Sequence, residues 1–515
     1  MKGRLACMSA CLNGNLEELR AAVARGDNVN SQNADGETAL MCAVATSDIE
    51  DQDSKVRLLL EQPSIDVNMS DKRGETALMY AAQEGNLEAV KVFLEDGRAD
   101  VNIQNQKGQT ALTKTALRLS QTDRGEFLEI LKLLLEQPSL DVNLADDNGF
   151  TALHAVAFLG HIEAVKLLLA DDRTDVNYKD KHKKTPLIIT AAAVKPENIT
   201  VLGLLLAKEA VEVNWGANIG GYENVTALQV AVYQGNTQAV KLLLADPRVD
   251  INCKDSLQRT SLNNLFVAEK WSNSSNKVNI LNLLLAEERV DVNWAAPDQK
   301  GQSMTPLVSA THFACKDLSP IEAVQILLDD PRVDVNWTRS TGVSALHVAA
   351  ANAGENGLEV LKLFLAHERV DINCKRDSNG PTVLHVAAVN NNVEAVKIIL
   401  SDPRLTSANT NNPFLILSNQ RFTLAKATAD NFTALTLAAA NRKREALKEL
   451  LYNPSIDIDG KNEDGLTLDD ELRWDYLLRR MLTLTLIQLV YCMSFTSDDI
   501  LLPGHCPMQC KGRRS

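Results

Sequence analysis

Two short phrases recur at a fixed spacing along almost the whole chain, and this recurrence limits the possible fold more than any other feature. One phrase is a Leu-rich segment that ends in Asp-Val-Asn, and the other is Thr-Ala-Leu at the start of an Ala-rich run. Asn68 stands 8 residues before Thr76, and Thr76 stands 26 residues before Asn102, so the basic period is 34. A period between about 20 and 50 residues predicts a stack of small repeated units rather than one central core.

One period contains two short predicted helices and a turn. Thr76–Gly85 predicts a helix with an N-capping threonine and a terminating glycine, and a second helix follows over residues 86–94. The apolar residues that fall on one face of the second helix are Leu87, Val90, Phe93 and Leu94. The Asp/Gly-rich stretch 100–108 fits a tight hairpin turn. Because neither helix is long enough to be stable alone in water, neighbouring units must stack.

These phrases resemble the ankyrin-repeat family, whose pattern is Gly-x-Thr-Pro-Leu-His-x-Ala-Ala followed by Gly-His and Leu-Leu-Leu. The best copy of it in this chain runs from Thr151 to His161 and continues in Val165–Leu169. The resemblance covers residues 5 to about 470 and implies an all-α repeat solenoid of about 12 to 13 helix-turn-helix units with projecting hairpin loops. The link 245–252 is one residue longer than the family's usual link, which explains a period of 34 in place of about 33.

The units at both ends depart from the pattern, which divides the chain into five predicted segments. They are an N-terminal capping repeat (1–30), the ankyrin repeat array (31–405), an insertion loop (406–431), degenerate C-terminal ankyrin repeats (432–476), and a C-terminal helix and tail of unknown role (477–515). A long loop inside such an array is usually disordered or functional. We expect the insertion loop to be disordered, and docking of a partner is the alternative.

The charge and the N-terminal sequence narrow the kind of partner. A net charge of -14 opposes binding to phosphate backbones and anionic membranes, so we expect other proteins as partners and not nucleic acid.

The chain opens without the apolar core and cleavage site of a secretory signal, which predicts a cytoplasmic protein, with the nucleus as the alternative. The nine cysteines should then be reduced. We also expect the chain to be monomeric by itself.

Extra residues fall in the turns between paired helices and in the hairpins, where added length costs little. The inter-helix insertions lie around residues 46–55, 118–126, 267–277, 311–320 and 351–357. The hairpin insertions, 216–225 and 295–304, are each four residues longer than the standard, and each begins directly after an Asn-Trp pair. We expect function to concentrate at these turns.

Six aromatic residues are candidates for partner binding. They are Trp215, Trp294, Trp337, Tyr178, Tyr233 and Phe158. The first four share one position in the repeat, directly after the Asp-Val-Asn phrase, and large amphipathic rings on a rim are typical of binding hot spots. These rings either contact a partner or pack against the neighbouring hairpin. Phe158 and Tyr233 fall at the solvent-facing end of the first helix, where the resemblance implies ligand contact, and the same two interpretations apply.

No motif in the chain predicts catalysis. His154, His347 and His385 stand at the family's Thr-x-Leu-His position, where the resemblance implies that the ring braces the turn by hydrogen bonds. The sequence has no recognisable nucleophile motif, His-Glu-x-x-His or phosphate-binding loop. The His-Cys-x3-Cys cluster at 505–510 lacks the second ligand pair that supports a zinc site. We therefore predict no enzyme, no cofactor and no metal.

The tail after residue 477 leaves alternatives open. Met481–Phe495 is a 15-residue apolar stretch, shorter than the roughly 20 residues of a membrane span, so we expect a helix that caps the array. A membrane or partner anchor is the alternative. Ankyrin adaptors of ubiquitin ligases carry a Leu-x3-Cys box, whereas here Gln488 stands four residues before Cys492.

The resemblance also implies a candidate modification. In the ankyrin family the asparagine of Asp-Val-Asn is a known type of asparaginyl-hydroxylase target when a leucine stands eight residues earlier. That spacing occurs at Asn68, Asn177 and Asn252. Our hypothesis is that the chain is such a substrate.

Together these features predict a protein–protein interaction scaffold or adaptor that binds partners through the concave groove and hairpin rim of an ankyrin solenoid. The alternative is a substrate-recognition subunit of a regulatory complex, for example a ubiquitin ligase, that acts through the tail.

Overall fold

Helix pairs follow one another along the part of the chain that the structure describes. The computed structural model describes residues 6–45, 49–119, 125–193, 195–267, 274–297, 301–340, 342–352, 354–374 and 382–405. The chain divides into two compact units, Met1–Ser261 and Leu262–Ser515. The predicted insertion loop, the degenerate C-terminal repeats, the tail and its apolar stretch, Cys492 and the cluster 505–510 all lie outside the described residues.

Unit 1 contains seven helix pairs and one short two-stranded sheet within its described residues. The elements are α1 (Ala6–Asn13), α2 (Leu16–Ala24), α3 (Ala39–Ala45), α4 (Ile49–Leu60), α5 (Ala77–Glu84), α6 (Leu87–Asp96), α7 (Ala111–Arg118), α8 (Gly125–Leu135), α9 (Ala152–Leu159), α10 (Ile162–Ala170), α11 (Pro186–Ala192), α12 (Pro196–Leu206), β1 (Ala217–Ile219), β2 (Tyr222–Val225), α13 (Ala227–Gln234) and α14 (Thr237–Ala245). Odd-numbered helices are the first of each pair, and even-numbered helices are the second.

Unit 2 continues the same order. Its elements are α15 (Ser261–Val267), α16 (Ser274–Leu285), β3 (Ala296–Pro297), β4 (Ser303–Met304), α17 (Pro306–Ala314), α18 (Ile321–Asp329), α19 (Ala345–Ala351), α20 (Glu355–Ala366), α21 (Val383–Val389) and α22 (Val393–Leu400). The two hairpin insertions of the sequence thus form the two short antiparallel sheets, β1 with β2 and β3 with β4.

Threonine and glycine caps set the ends of the first helices, as the sequence predicts. In α5 the Thr76 side chain accepts the N–H of Met79 over 3.3 Å, and Gly85 ends the helix in the left-handed conformation with φ of 74°. A threonine and a left-handed glycine also bound α9 and α13. The side-chain oxygen satisfies one of the N–H groups that a helix start leaves open, and glycine adopts positive φ without a steric penalty.

Each unit buries its apolar side chains between stacked pairs. In unit 1 each first helix packs against the next first helix and each second helix against the next second helix, and unit 2 repeats this arrangement from α16 onward. The core is mostly Leu, Val and Ala, with Phe93 and Phe364 among its largest side chains. The predicted apolar face of α6 is partly wrong. The helix buries Ala89, Val90, Val92 and Phe93, whereas Leu87 and Leu94 are only half-buried. Contacts to both α4 and α8 broaden the buried face.

The inter-helix insertions also differ from the prediction, because they lengthen helices as well as turns. The second helices that follow insertions have 11 or 12 residues in α4, α8, α16 and α20, compared with 9 or 10 in α6, α10 and α14. Only the insertion before α18 leaves that helix at 9 residues. An added helical turn satisfies its own backbone hydrogen bonds, whereas the same residues in an irregular loop leave theirs to water.

Within each unit, the asparagine of Asp-Val-Asn joins neighbouring repeats. Asn68 Nδ2 donates to the Arg98 carbonyl over 2.9 Å, and its Oδ1 accepts the N–H of Asp100 over 2.8 Å. The same two bonds recur at Asn30, Asn102, Asn143, Asn177, Asn214, Asn293 and Asn336. The phrase therefore recurs because its amide satisfies both groups of a neighbouring backbone segment.

In several repeats an arginine that stands four residues before the asparagine of the phrase caps the second helix of the preceding repeat. Arg248 Nη2 lies 2.5 Å from the carbonyl oxygen of Leu206, the last residue of α12, and its guanidinium pairs with Asp246 at 2.6 Å. Equivalent contacts join Arg98 to Leu60, Arg173 to Leu135 and Arg332 to Leu285. A cation at the C-terminal end of a helix satisfies open carbonyls and interacts favourably with the helix dipole. The residue that lengthens the link 245–252 thus lies in an Asp-x-Arg step with a structural role.

Candidate partner-binding surface

One position in the first helices carries most of the exposed apolar side chains of unit 1. Counted from the first helical residue, it is the seventh position, near the C-terminal end of each first helix. Four of the five large apolar residues exposed in the described part of unit 1 occupy it, at Leu12 (49%), Leu117 (37%), Phe158 (56%) and Tyr233 (38%). Other first helices of unit 1 have Ala45, Gln83 and Ala192 there.

This position is exposed because the helix faces its neighbours with its other residues. In α9 every residue from Ala152 to Ala157 is buried, and exposure begins abruptly at Phe158. Since consecutive first helices of unit 1 contact each other, the seventh positions form one row along the unit, which we call the inner row. Phe158 and Tyr233 are among the candidates predicted from the sequence, whereas Leu12 and Leu117 are not. Counting seven residues from the N-capping Thr110 finds Leu117, whereas the first unit has no Thr-Ala-Leu phrase from which to count to Leu12.

Trp215 is held against the preceding hairpin. Its Nε1 donates to the Lys183 carbonyl over 2.8 Å, and the Lys179 ammonium lies 3.5 Å from the centre of its ring. Lys179 also pairs with Glu212 at 3.2 Å. The ring is half-buried, so this geometry corresponds to packing on the neighbouring hairpin and leaves one part of the ring at the surface. A role for Trp215 in partner binding stays a prediction.

The other rim aromatics are half-buried as well. The Trp294 carbonyl accepts a hydrogen bond from Asn263 Nδ2 over 3.1 Å, and the backbone N–H of Trp337 donates to Asp334 over 3.3 Å. Tyr178 meets the His154 ring edge-on, with 6.2 Å between ring centres. The structure therefore places Tyr178 and Trp215 in unit 1, with Trp294 and Trp337 in unit 2. Their binding roles remain predictions.

The histidines act in the turns. His154 Nδ1 lies 2.9 Å from Thr151 Oγ1, and His154 Nε2 lies 3.1 Å from the Lys184 carbonyl of the next repeat. Burial lowers the pKa of His154, which keeps its ring neutral. His347 and His385 make the same contact with Ser344 and Thr382, at 2.8 and 2.7 Å.

Ser344, His347 and Cys374 come close together, but their surroundings do not suit a nucleophile. Cys374 Sγ is 3.7 Å from Ser344 Oγ and 3.9 Å from His347 Nδ1. Burial raises the pKa of the Cys374 thiol to about 11, and Ser344 and His347 are themselves buried. A reactive cysteine needs a lowered pKa and access to substrate. The contacts among these three side chains therefore correspond to stabilisation of the turn.

The described residues contain neither a cluster of metal-ligating side chains nor a helix suited to cross a membrane. No set of three or more metal-ligating side chains is grouped there. Within the same residues, no helix combines the length and apolar character that a bilayer crossing requires.

Among the asparagines proposed for hydroxylation, Asn68 and Asn177 form side-chain hydrogen bonds to the backbone of the next repeat. Asn177 Nδ2 donates to the Ala210 carbonyl over 2.7 Å and its Oδ1 accepts the N–H of Glu212 over 2.8 Å, and Asn68 makes the equivalent pair. Within the phrase itself, the Asn252 N–H donates to Asp250 Oδ1 over 2.9 Å. An enzyme that needs an extended substrate must open this segment first, so modification remains a prediction.

The stacked helix pairs, the asparagine bonds between neighbouring repeats and the exposed inner row define a helical repeat protein. The family model described as "Ankyrin repeats (3 copies)" matches residues 7–105, 50–123, 97–180, 119–214, 173–255, 311–412 and 353–464. These matches cover well over half of the chain, and the chain therefore belongs to the ankyrin-repeat family. Ankyrin repeats are in general protein–protein interaction modules, and proteins of this family are typically non-enzymatic binding scaffolds, so the partners are expected to be proteins.

One solved structure similar to this chain is titled "Crystal Structure of EF0377 an Ankyrin Repeat Protein". It is 27% identical, and the match covers 40% of this chain and 95% of that chain with a TM-score of 0.34. At that TM-score the likeness carries no structural argument.

Proposed function

We propose that the chain is an interaction scaffold or adaptor that binds partner proteins through the inner row of unit 1 and the aromatic rim of its hairpins. The main support for this proposal is that the exposed side chains of four residues share the seventh position of the first helices, at Leu12, Leu117, Phe158 and Tyr233. Scattered exposed apolar residues are ordinary on a protein surface, whereas large apolar side chains that recur at one position of the stack, as Leu117 and Phe158 do in adjacent repeats, favour an interaction site.

The chemistry of the row supports a protein partner. Aromatic side chains supply a large contact area with few rotatable bonds, and Phe158 and Tyr233 are the two most exposed aromatic residues that the structure describes. Burying their exposed parts stabilises a complex by the hydrophobic effect without any change in the fold.

Affinity capture of the full-length chain, followed by mass spectrometry, tests this proposal. The test variant is Phe158→Ala with Tyr233→Ala. The matched control is Leu318→Ala, because Leu318 is 53% exposed but lies in the turn after α17. We expect the double variant to lose captured partners while the control keeps them, with both melting temperatures unchanged. Equal capture by all three chains would remove the inner row as the binding surface.

A more specific role is the second candidate, a substrate-recognition subunit of a regulatory complex that acts through residues 477–515. Deletion of those residues distinguishes the two. A scaffold keeps its partners after the deletion, whereas a recognition subunit keeps its bound substrate but loses the enzyme that accompanies it. We further propose a cytoplasmic, monomeric protein with no nucleic-acid partner, which fluorescence microscopy and sedimentation of the tagged chain would test.

A further inference from the structure

One hairpin of unit 1 carries a concentrated positive charge in an otherwise acidic protein. The segment Tyr178–Lys184 contains four lysines, one histidine and one aspartate, whereas the whole chain has a net charge of -14. Lys181, His182 and Lys183 are exposed, and Lys184 is half-buried. We call the four residues Lys181–Lys184 the basic tip. Its charge is visible in the amino-acid sequence itself.

Most of the charge at this tip is not neutralised within the protein. Lys179, just before the tip, already pairs with Glu212 and stacks on Trp215. In the part of the chain that the structure describes, none of the four residues of the basic tip forms an ion pair. Asp180 is buried inside the turn, and one of its carboxylate oxygens has no hydrogen-bond partner there. Adjacent like charges repel one another, so an external anion is favoured at this site.

The backbone of the basic tip is fixed before any partner arrives. Asp180 Oδ1 accepts the N–H groups of His182 and Lys184 over 2.8 and 2.7 Å. The N–H of Lys181 donates to Asn148 in the preceding hairpin over 3.0 Å, and the His182 carbonyl accepts the N–H of Asn218 in the following one over 2.8 Å. A rigid site loses less conformational entropy on binding than a flexible loop does.

Lys183 occupies a position that glycine holds in the other short hairpins of unit 1 before it. Gly36, Gly74, Gly108 and Gly149 have φ between 70° and 83° there, and Lys183 has φ of 59°. A non-glycine residue in the left-handed region is unfavourable, so the lysine side chain is present at a conformational cost. Gln258 also adopts this conformation in its own hairpin, with φ of 59°, which offers a matched control. The unfavourable backbone conformation of Lys183 motivates a functional hypothesis for its side chain.

We propose that the basic tip binds an acidic segment of a partner protein. Clusters of cationic side chains on a fixed backbone recognise acidic motifs by charge complementarity. A short acidic segment fits better than nucleic acid or an anionic membrane, because those extended polyanions also meet the negative charge of the rest of the chain. The inference rests on the proposed function, since it names the partner chemistry for one part of the hairpin rim.

Fluorescence anisotropy of the full-length chain tests the proposal directly. The probe is a fluorescein-labelled peptide whose residues are mostly glutamate, and the reference peptide has glutamine in place of each glutamate. The test variant is Lys181→Gln with Lys183→Gln. The matched control is Lys132→Gln with Lys166→Gln, which removes the same charge from the half-buried Lys132 of α8 and the exposed Lys166 of α10. Lys183→Gly and Gln258→Gly form a second pair of variants.

We expect the glutamate peptide to bind the wild type and the control, to bind the test variant about tenfold more weakly, and to lose affinity as salt increases. Lys183→Gly should weaken binding, whereas Gln258→Gly should not. Three results would overturn the proposal: no preference for the glutamate peptide, an equal loss in test variant and control, or tighter binding of a single-stranded DNA or a phosphatidylserine vesicle to the same tip. If the Phe158 and Tyr233 variants still lose captured partners, only this inference fails and the proposed function stands.

Discussion

The Nη2 atom of Arg173 lies 2.6 Å from the carbonyl oxygen of Leu135, the last residue of α8. Its Nη1 atom also reaches the Gln137 carbonyl at 2.8 Å, and its guanidinium pairs with Asp171 at 2.6 Å. One side chain thus closes the C-terminal end of a helix that belongs to the preceding repeat, and it links stability to the stacking of neighbours.

Removing this contact should destabilise the stack. We expect Arg173→Ala to lower the free energy of unfolding by about 1–2 kcal/mol, because it leaves helix-terminal carbonyls without a donor. Urea denaturation monitored by circular dichroism measures the change. Lys166→Ala is the control, since Lys166 only pairs with Glu163 on the helix surface, and a change of less than about 0.5 kcal/mol is expected. Equal losses in the two variants would count against the capping role.

The Asp-x-Arg steps should make stability depend on pH in the acid range. The neighbouring arginines lower the pKa of Asp96, Asp171, Asp246, Asp330 and Asp402 by side-chain hydrogen bonds. A carboxylate whose folded-state pKa is lowered contributes stability that is fully present above its unfolded pKa, near 3.9, and is lost as pH falls through the folded value.

We therefore expect the free energy of unfolding to fall steadily below about pH 5. Asp171→Asn with Asp246→Asn should be less stable at pH 7 and should show a shallower decline toward pH 3. Urea denaturation at a series of pH values gives both quantities. A slope identical to that of the wild type would show that these two carboxylates do not contribute.

A buried ion pair joins two repeats of unit 1. Lys114 Nζ lies 2.6 Å from Glu75 Oε1, which also accepts a hydrogen bond from Asn105 Nδ2 at 2.9 Å. Lys114→Met should cost about 3 kcal/mol, because it leaves the Glu75 carboxylate buried without its cation. Adding Glu75→Leu should recover much of that loss, and a double-mutant cycle gives the coupling energy. Additive losses would mean that the two side chains act independently.

Two glycines with positive φ meet different structural requirements: Gly74 lies in a hairpin turn, and Gly97 ends α6. A Cβ at Gly74 would lie 2.9 Å from the backbone of Asn105 and Gln106, whereas a Cβ at Gly97 meets nothing within 4 Å, and both residues have positive φ. Gly97→Ala should therefore show only the conformational penalty, about 1 kcal/mol, and Gly74→Ala clearly more. Thermal melts of the two variants measure the difference. If the two melting temperatures are equal, close approach of the hairpins adds nothing.

The features that were predicted from sequence are those whose partners lie nearby in the chain. The threonine N-caps, the glycine ends and the hairpin turns act within a few residues, so the pattern around Thr76 and Gly85 was sufficient. Because the short helix pairs recur with a fixed period, the stacking of neighbouring repeats could also be predicted. The Arg173 contact was not predicted because its partner, Leu135, lies 38 residues away and is a backbone carbonyl, which any residue could offer.

The candidate site was predicted only in part for the same reason. The resemblance predicts the exposure of Phe158 and Tyr233, whereas the equivalent position of Leu12 and Leu117 depends on where α1 and α7 begin, which the structure gives. The hydrogen bond from Trp215 to Lys183 depends on how close adjacent hairpins come, which no local pattern specifies. The inter-helix insertions were assigned to turns, whereas part of their length extends the second helices in α4, α8, α16 and α20. The sequence does not show where a helix of 9 residues becomes one of 12.

The affinity of a captured partner for inner-row variants tests the central claim most directly. Isothermal titration of the full-length chain with that partner should give a Kd at least about tenfold higher for Phe158→Ala with Tyr233→Ala. The reason is that each aromatic residue of a binding hot spot typically contributes about 1 kcal/mol or more to the free energy of binding. Leu318→Ala should leave the Kd within about twofold of the wild type. Unchanged affinity in the double variant, with its melting temperature also unchanged, would contradict the account.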